Sequence, residues 1–216
     1  MIFGIAMLTL VIGGVAVAAG PDMVLSDAYL ETFEVKFAEG GASLDSVQDL
    51  LGTSVGVGFA VSGLGKIGIA DDFVAPVGLG SESPCAGGFK SDCSAFSKLK
   101  LRFKNLGTQG VHVNVNMNTG FTDAGTGTCG AAEDAKCDVF WQGPWTFVGP
   151  GNTKVVTLNF SKAEAFNCDG VAVDGCVNGL NKPILRLDEV TNIGFQVANF
   201  GPPDGTATWL IVRGNP

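Results

Sequence analysis

The sequence predicts a mainly β protein, an antiparallel β-sandwich preceded by one apolar N-terminal segment. Its clearest signal is Leu99 to Met117, where apolar and polar residues alternate on both sides of an Asn- and Gly-rich centre. A period of two gives a strand one buried and one solvated face, and Asn and Gly tolerate the backbone of a tight turn. We therefore predict an antiparallel hairpin over these residues.

Composition supports one large β domain. The chain has 216 residues, 32 glycines and only 16% charged residues, which is typical of many short strands and turns. The net charge of −8 argues against a nucleic-acid partner, because a phosphate backbone requires clustered Lys and Arg. The basic alternation from Lys98 to Lys104 is interpreted as the solvated face of a strand.

The other elements follow from the same rules. Residues 21–216 contain about nine or ten predicted strands, without an internal repeat. Leu44, Val47 and Leu50 predict a short helical turn within 43–51, and 53–70 predicts a second hairpin. Further strands are predicted at 33–37, 139–148, 156–160, 193–197 and 206–212, and residues 184–187 form a short apolar run. With no other helix expected, residues 21–216 are predicted to form a single two-sheet sandwich.

Residues 1–20 form an uncharged apolar segment that would span about 30 Å as a helix. Ala16-Val17-Ala18 fits the cleavage pattern of a secretory signal. The absence of Lys or Arg before Lys36 instead favours a retained segment that packs against other subunits, with membrane contact only before assembly. Both interpretations place the protein outside the cytoplasm. The assembly residues would be Ile2, Phe3, Ile5, Leu8, Leu10, Val11, Ile12, Val15 and Val17.

Six cysteines form three sequence pairs, each with seven intervening residues. The equal spacings favour three local disulfides, which would require an oxidising compartment. Zinc is disfavoured because its sites use closely spaced ligand pairs and His112 is the only histidine. The predicted pairs are Cys85–Cys93, Cys129–Cys137 and Cys168–Cys176.

Two stretches resemble a known fold. GPWTFVGPGNTKVVTLNF (143–160), followed by LDEVTNIGFQV (187–197), resembles the C-terminal half of galactose-binding-like jelly rolls, the fold of many carbohydrate-binding modules. SAFSKLKLRF (94–103) is similar to their preceding strand, so the resemblance covers roughly 90–212. It implies a jelly-roll sandwich. The final strand, TWLIV (208–212), lacks the Asp that those modules often carry there.

Catalytic chemistry has little support in the sequence, which contains no nucleophile elbow, zinc-protease motif or phosphate loop. We therefore expect no enzymatic activity and no cofactor other than a structural Ca²⁺, with Asp71 and Asp72 as the first candidate ligands. His112 is interpreted as an exposed strand residue. Asn159 lies in the only Asn-x-Ser/Thr sequon and is a candidate glycosylation site.

Two functions remain open. The apolar tail, low charge and predicted bridges favour a non-enzymatic subunit of a cell-surface filament or pilus, self-associating through residues 1–20, a layout similar to archaeal-type pilins. The alternative is a secreted carbohydrate-binding module, in which aromatic rings stack on sugars. Its candidate stacking residues are Trp141, Trp145, Phe140 and Tyr29. Exposed rings would favour sugar binding, and buried rings would indicate a core role.

Overall fold

The computed structural model describes residues 20–49, 56–63, 65–72, 85–87, 91–120, 138–168, 185–199 and 208–214. Within these ranges the chain forms fifteen strands, one short helix and two 3-10 turns. The strands are β1 (Asp22–Met23), β2 (Glu34–Glu39), β3 (Ser43–Asp49), β4 (Val57–Ser62), β5 (Gly65–Asp72), β6 (Ala86–Gly87), β7 (Ser91–Asp92), β8 (Lys98–Asn105), β9 (Val111–Gly120), β10 (Asp138–Gln142), β11 (Thr146–Val148), β12 (Thr153–Asn159), β13 (Glu164–Cys168), β14 (Val190–Asn199) and β15 (Thr208–Arg213). The helix is α1 (Asp27–Glu31), and the 3-10 turns are Phe160–Lys162 and Leu187–Glu189.

The strands form two sheets that face each other across one core. Sheet 1 has the order β1-β8-β15-β4-β3, and β12 also pairs with β8. Sheet 2 has the order β13-β10-β9-β14-β5-β2, with β11 on β9 and the short pair β6–β7 on β14. All pairings are antiparallel except that of β1 with β8. This arrangement confirms the predicted β-sandwich.

Aromatic rings from both sheets meet at the centre of the core. Phe195 of β14 packs edge-on against Phe59 of β4 and Phe103 of β8, with ring centroids 5.1 and 5.3 Å apart. Phe33 stacks on the same ring at 6.1 Å. All four side chains are buried, so this cluster joins the two sheets through apolar burial and favourable ring geometry.

The two predicted hairpins are wrong. The strands within 99–117 exist, but β8 belongs to sheet 1 and β9 to sheet 2, so the turn between them crosses from one sheet to the other. The connection from β4 to β5 crosses in the same way. Alternation reports which face of a strand is buried, and it does not identify the neighbouring strand. Two consecutive alternating strands therefore fit an arch over the core as well as a hairpin.

Glycines allow two corners of the sandwich, β4–β5 and β2–β3, to pack closely against each other. Gly63 and Gly65 flank the corner between β4 and β5 and have φ angles of 88° and 130°. A Cβ on Gly63 would strike the carbonyl oxygen of Gly41, and a Cβ on Gly65 would strike that of Glu39. Gly41 and Glu39 belong to the corner between β2 and β3. The two corners therefore touch through backbone atoms, which only residues without a Cβ permit.

The predicted helical turn at 43–51 is also wrong over its described part, which forms β3. Leu44 pairs opposite Val61 and Val47 opposite Phe59, with a register shift between Leu44 and Ser46. Because this bulge adds a residue, two core-facing positions lie three apart instead of two. That spacing is the helical spacing on which the prediction relied.

The short helix α1 was not predicted. Ser26 caps it by accepting a 3.0 Å hydrogen bond from the Tyr29 backbone N–H, and the helix packs Tyr29 and Leu30 into the core. Tyr29 is 3% exposed and packs edge-on against Phe33 at 5.5 Å. The proposal of Tyr29 as a sugar-stacking residue is therefore wrong, because its ring faces are covered by the core.

The outer face of sheet 1 carries the basic alternation. Asp22 of β1 reaches Lys100 and Lys98 of β8, with carboxylate-to-Nζ distances of 2.6 and 3.1 Å. These contacts, first to Lys100 and then to Lys98, hold the pKa of the Asp22 carboxyl below its ordinary value. Lys104 at the other end of the strand is exposed. The face is therefore a partly neutralised solvent surface, as the sequence indicated.

The apolar N-terminal residues from Ile2 to Val17 lie outside the described part of the chain. No helix within the described ranges is both long and apolar enough to span a membrane. Gly20 is the first described residue, and its carbonyl oxygen accepts a 2.6 Å hydrogen bond from the Ser97 hydroxyl.

Candidate functional site

A cleft of about 360 Å³ lies on the outer face of sheet 2. It crosses five neighbouring strands, β10, β9, β14, β5 and β2, which corresponds to about 19 Å at the usual strand spacing. Its lining residues are Lys36, Phe37, Glu39, Lys66, Gly68, Ile69, Ala70, Asn116, Asn118, Phe140, Gln142, Trp145, Asn192 and Gln196.

Small residues form the floor at the centre of the cleft. Gly194 of β14 lies opposite Asn116 on one side and Ala70 of β5 on the other. Opposite residues in an antiparallel pair share a face, so these positions form one row across the sheet. A Cβ on Gly194 would come within 2.4 Å of the Ala70 Cβ. The row is therefore low in its middle, with taller side chains on either side.

Buried amides form a hydrogen-bonded group beside this floor. Asn114 is fully buried, and its amide nitrogen donates to Gln142 Oε1 at 3.0 Å and to Gln196 Oε1 at 3.3 Å. Its own Oδ1 accepts from Asn116 Nδ2 at 3.4 Å. Because both glutamine oxygens are used, the two glutamine NH₂ groups are left as donors beside the cleft. Neither NH₂ group has a protein acceptor among the described residues.

Aromatic rings stand at both ends of the cleft. Trp145, which is 37% exposed, follows Gly143-Pro144 where the chain leaves β10, and the half-buried Phe140 of β10 also lines the cleft. Phe37 of β2 forms the opposite wall, because its ring lies over Gly68 where any Cβ would collide with it. Sugar rings present C–H faces that pack on such aromatic surfaces.

The charged side chains at the β2 end are paired. Lys36 Nζ lies 2.6 Å from Glu34 Oε1, and Lys66 Nζ lies 3.6 Å from Glu39 Oε2. The Lys66 ammonium also lies 5.2 Å from the Phe37 ring centroid. The cleft therefore presents neutral amides and aromatic rings, with balanced charge at one end.

Asn118 adds an acceptor near the β10 end. Its Oδ1 is buried and makes no hydrogen bond within the described residues. A buried acceptor without a partner is unfavourable, and a ligand hydroxyl reaches this oxygen only if the Asn118 side chain rotates toward the cleft. The glutamine NH₂ groups are thus the polar groups directly presented to a ligand, which suits the hydroxyl groups of a carbohydrate.

The candidate stacking residues separate into two groups. Trp145 and Phe140 line the cleft, whereas Trp141 faces the core, is 5% exposed and donates its indole N–H to Thr119 Oγ1 at 2.9 Å. The proposal of Trp141 as a stacking residue is therefore wrong. Alternation explains the difference, because Trp141 lies between the outward-facing Phe140 and Gln142.

Phe37 and the amides of the cleft are not indicated by the sequence pattern. Asn114, Asn116 and Asn118 occupy the polar positions of β9, a pattern that predicts only a solvated strand face. The signal that could have identified them is the amide chemistry itself. A solvated strand face usually carries charged residues, whereas three neutral amides in alternation are suited to hydrogen bonding with a ligand.

One disulfide lies within the described residues. Cys85 and Cys93 are bonded to each other, the pair that their spacing favoured. The side chains of Cys129, Cys137, Cys168 and Cys176 lie outside the described part of the structure, so their pairing stays a prediction.

The predicted calcium ligands are only partly described. Asp71 and Asp72 end strand β5, but their side chains lie outside the described part. Among the residues whose side chains are described, no group of three His, Cys, Asp or Glu could hold a metal ion. A calcium site at Asp71 and Asp72 therefore stays a prediction.

The candidate glycosylation site lies on the opposite sheet from the cleft. Asn159 ends β12 in sheet 1, and its Oδ1 accepts hydrogen bonds from the Ser161 backbone N–H at 3.1 Å and hydroxyl at 2.8 Å. A glycan on Asn159 stays a prediction, and it would not obstruct the cleft.

Two solved structures have the same fold over nearly the whole chain. One is a family 11 carbohydrate-binding module from Clostridium thermocellum in complex with a β-1,3-1,4-mixed-linked tetrasaccharide, at 15% identity and a TM-score of 0.54, with 91% of this chain and 94% of that chain covered. The other is the family 11 module of the cellulosomal cellulase Lic26A-Cel5E of the same organism, at 16% identity and a TM-score of 0.50, with 91% and 93% covered. No protein-family model and no curated protein matches the sequence.

The chain thus has the β-sandwich fold of family 11 carbohydrate-binding modules over about nine-tenths of its length. The predicted resemblance to carbohydrate-binding jelly rolls is confirmed at the level of the fold. This fold and the Cys85–Cys93 disulfide are typical of extracellular modules.

The prediction of a filament subunit was wrong. A match to carbohydrate-binding modules over 91% of the chain favours the alternative function instead. The features that suggested a filament, an apolar segment and a low content of charge, are equally typical of an exported binding domain. The predicted self-association is not supported, and its assembly residues lie outside the described part of the chain.

Proposed function

We propose that this chain is a secreted, non-catalytic carbohydrate-binding module that holds a glycan in the cleft on the outer face of sheet 2. The observation that carries the proposal is the combination of aromatic walls at both ends with a hydrogen-bonded amide group between them. Ligand sites commonly combine apolar surface with a few well-placed polar groups. A pyranose ring needs both, because its faces are apolar and its edge carries hydroxyl groups.

The amide group supports orientation as well as binding. Asn114 holds the amide oxygens of Gln142 and Gln196. The NH₂ group of each glutamine is therefore presented in one direction before a ligand arrives. A preorganised donor loses little conformational freedom on binding, which favours affinity.

The charge distribution favours an uncharged glycan. Lys36 and Lys66 both have acidic partners, and the protein carries a net charge of −8. An anionic polysaccharide would gain little from paired ammonium groups and would be repelled by the net charge. The proposed ligand class is therefore a neutral polysaccharide.

The absence of catalysis in this proposal rests on the fold match, since the two solved structures are carbohydrate-binding modules. For the secreted protein we propose residues 21–216 as one binding domain and 1–20 as its export signal.

Affinity electrophoresis provides the test. The native protein is run through gels containing mixed-linkage β-glucan, xyloglucan, galactomannan or polygalacturonate, beside the Trp145→Ala variant. We expect retardation by at least one neutral polysaccharide, none by polygalacturonate, and about a tenfold loss of affinity in the variant, since a stacked ring contributes both apolar burial and specific geometry.

Val155→Ala is the matched control, because Val155 is an exposed apolar residue on sheet 1, away from the cleft. It should migrate as the native protein does. Native protein that no polysaccharide retards would overturn the proposed function. Full retardation of Trp145→Ala would exclude this cleft as the site.

A further inference from the structure

An exposed aromatic pair lies beside the cleft and is not part of its lining. Phe147 of β11 is 54% exposed, and its ring centroid lies 5.1 Å from that of His112 on β9. The two residues are directly opposite each other in the β9–β11 pairing, so they share a face of sheet 2. That face is the one that carries the cleft, because His112 alternates with the core-facing Val111 and Val113 just as Asn114 does.

The Phe147 ring packs against the backbone on one side. A Cβ on Gly110 would come within 2.3 to 2.4 Å of two carbons of this ring, and these contacts are at the edge of the ring. His112 lies beside the ring, and Phe147 stays 54% exposed, which leaves apolar ring surface on which a sugar can pack.

The position of this pair relative to the cleft indicates what it would bind. Phe147 follows the cleft residue Trp145 by two positions, so it lies about 6.6 Å further along the strand direction on the same face. The cleft itself runs across the strands from β10 to β2. Phe147 therefore lies to one side of the cleft, next to Trp145, and a linear chain that follows the cleft would pass beside it.

We propose that Phe147 and His112 form an accessory subsite for a sugar that branches from the main chain of a neutral glycan held in the cleft. This inference rests on the proposed function and adds the class of ligand, a polysaccharide with single-sugar branches. A single exposed apolar residue is common on protein surfaces and needs no ligand. Three observations distinguish Phe147: the second ring beside it, the glycine packed against its edge, and its continuity with the exposed wall residue Trp145.

Isothermal titration calorimetry with two matched pairs of oligosaccharides tests the subsite. One pair is cellotetraose and the xyloglucan oligosaccharide that has the same backbone with xylose branches. The other is mannotetraose and its galactose-substituted form. Native protein should bind the branched member of at least one pair roughly three- to tenfold more tightly than the linear member, as expected for one added aromatic contact.

Phe147→Ala should remove this preference while leaving affinity for the linear member unchanged, and Phe147→Trp should keep it. Val155→Ala serves as the matched exposed control on sheet 1. A purely structural role for Phe147 would instead lower thermal stability and weaken both members equally, which would overturn the subsite.

The two proposals fail in distinguishable ways. Native protein that is retained by a neutral polysaccharide, yet binds no branched probe more tightly than its linear partner, overturns the subsite and leaves the cleft function intact. A preference for longer linear chains that depends on Phe147 also overturns the branch assignment. Native protein that binds neither the polysaccharides nor any of the four oligosaccharides overturns both proposals.

Discussion

Replacing Asn114 with leucine tests whether the buried amide group organises the cleft. Asn114 makes two hydrogen bonds, of 3.0 and 3.3 Å, to the side-chain oxygens of Gln142 and Gln196, and a longer one of 3.4 Å from Asn116. Leucine has nearly the same shape and can make none of them. At a net value of about 1 kcal/mol for each of the two shorter bonds, unfolding free energy should fall by about 2 kcal/mol.

The loss should appear both in stability and in binding. For a domain of this size, about 2 kcal/mol corresponds to a fall of roughly 4–8 °C in Tm by differential scanning calorimetry. The glutamine amides would then be free to rotate, so they would have to be ordered on binding. We expect a loss of about tenfold in affinity for the retained polysaccharide, equivalent to about 1.4 kcal/mol.

Thr157→Val is the matched control. Thr157 lies opposite Lys100 on the outer face of sheet 1, and the substitution likewise replaces a polar group by an apolar one of similar shape. It should change neither Tm nor affinity appreciably. The reasoning is refuted if Asn114→Leu unfolds and binds like this control, because the amide group would then contribute neither stability nor orientation.

Three further changes test the sandwich itself. Phe195→Ala should lower unfolding free energy in urea by about 3–5 kcal/mol, because the ring contacts three others in the core; a loss under about 1 kcal/mol would contradict that packing. Lys100 holds the pKa of folded Asp22 below the ordinary carboxyl value of about 3.9, so Asp22 contributes stability that is lost as the pH falls below that value. Asp22→Asn should remove this contribution and reduce the fall of Tm in acid, and pH–Tm curves parallel to those of the native protein would argue against it. Replacing Cys85 and Cys93 together by serine should lower the unfolding free energy by about 2–3 kcal/mol, as expected for a disulfide that closes so short a loop. Glycan affinity should be retained because neither residue lines the cleft. An unchanged unfolding midpoint would contradict the stabilising role of the disulfide.

The sequence by itself determined the type of most strands and the face that each one buries. Leu99, Leu101 and Phe103 alternate with basic residues, and the structure buries all three while the basic side chains face solvent. This follows because side chains in any strand alternate between the two faces of a sheet, whatever its neighbours are. The spacing of Cys85 and Cys93 likewise favoured the pair that is bonded.

Only the tertiary structure decided which strands are neighbours. The chain after β8 could turn back beside it or cross the core, and both paths satisfy the same alternation. The paths differ in long-range contacts: β8 pairs with β12 and β15, which are distant in sequence, and β9 pairs with β14. Bulges add to the difficulty, as at Leu44 and Val47, where one extra residue made strand spacing look helical.

The candidate site depended on the same long-range pairings. From the sequence, Trp141 and Trp145 were equal candidates, whereas the structure places Trp141 in β10 facing the core and Trp145 after β10 on the cleft wall. Phe37 and Gln196 are separated by most of the chain and meet at the cleft because β5 lies between their strands. The local sequence pattern therefore determined which side chains of each strand face the core and which face solvent. The site was decided by the order of strands in sheet 2, since that order brings distant polar and aromatic residues onto one surface.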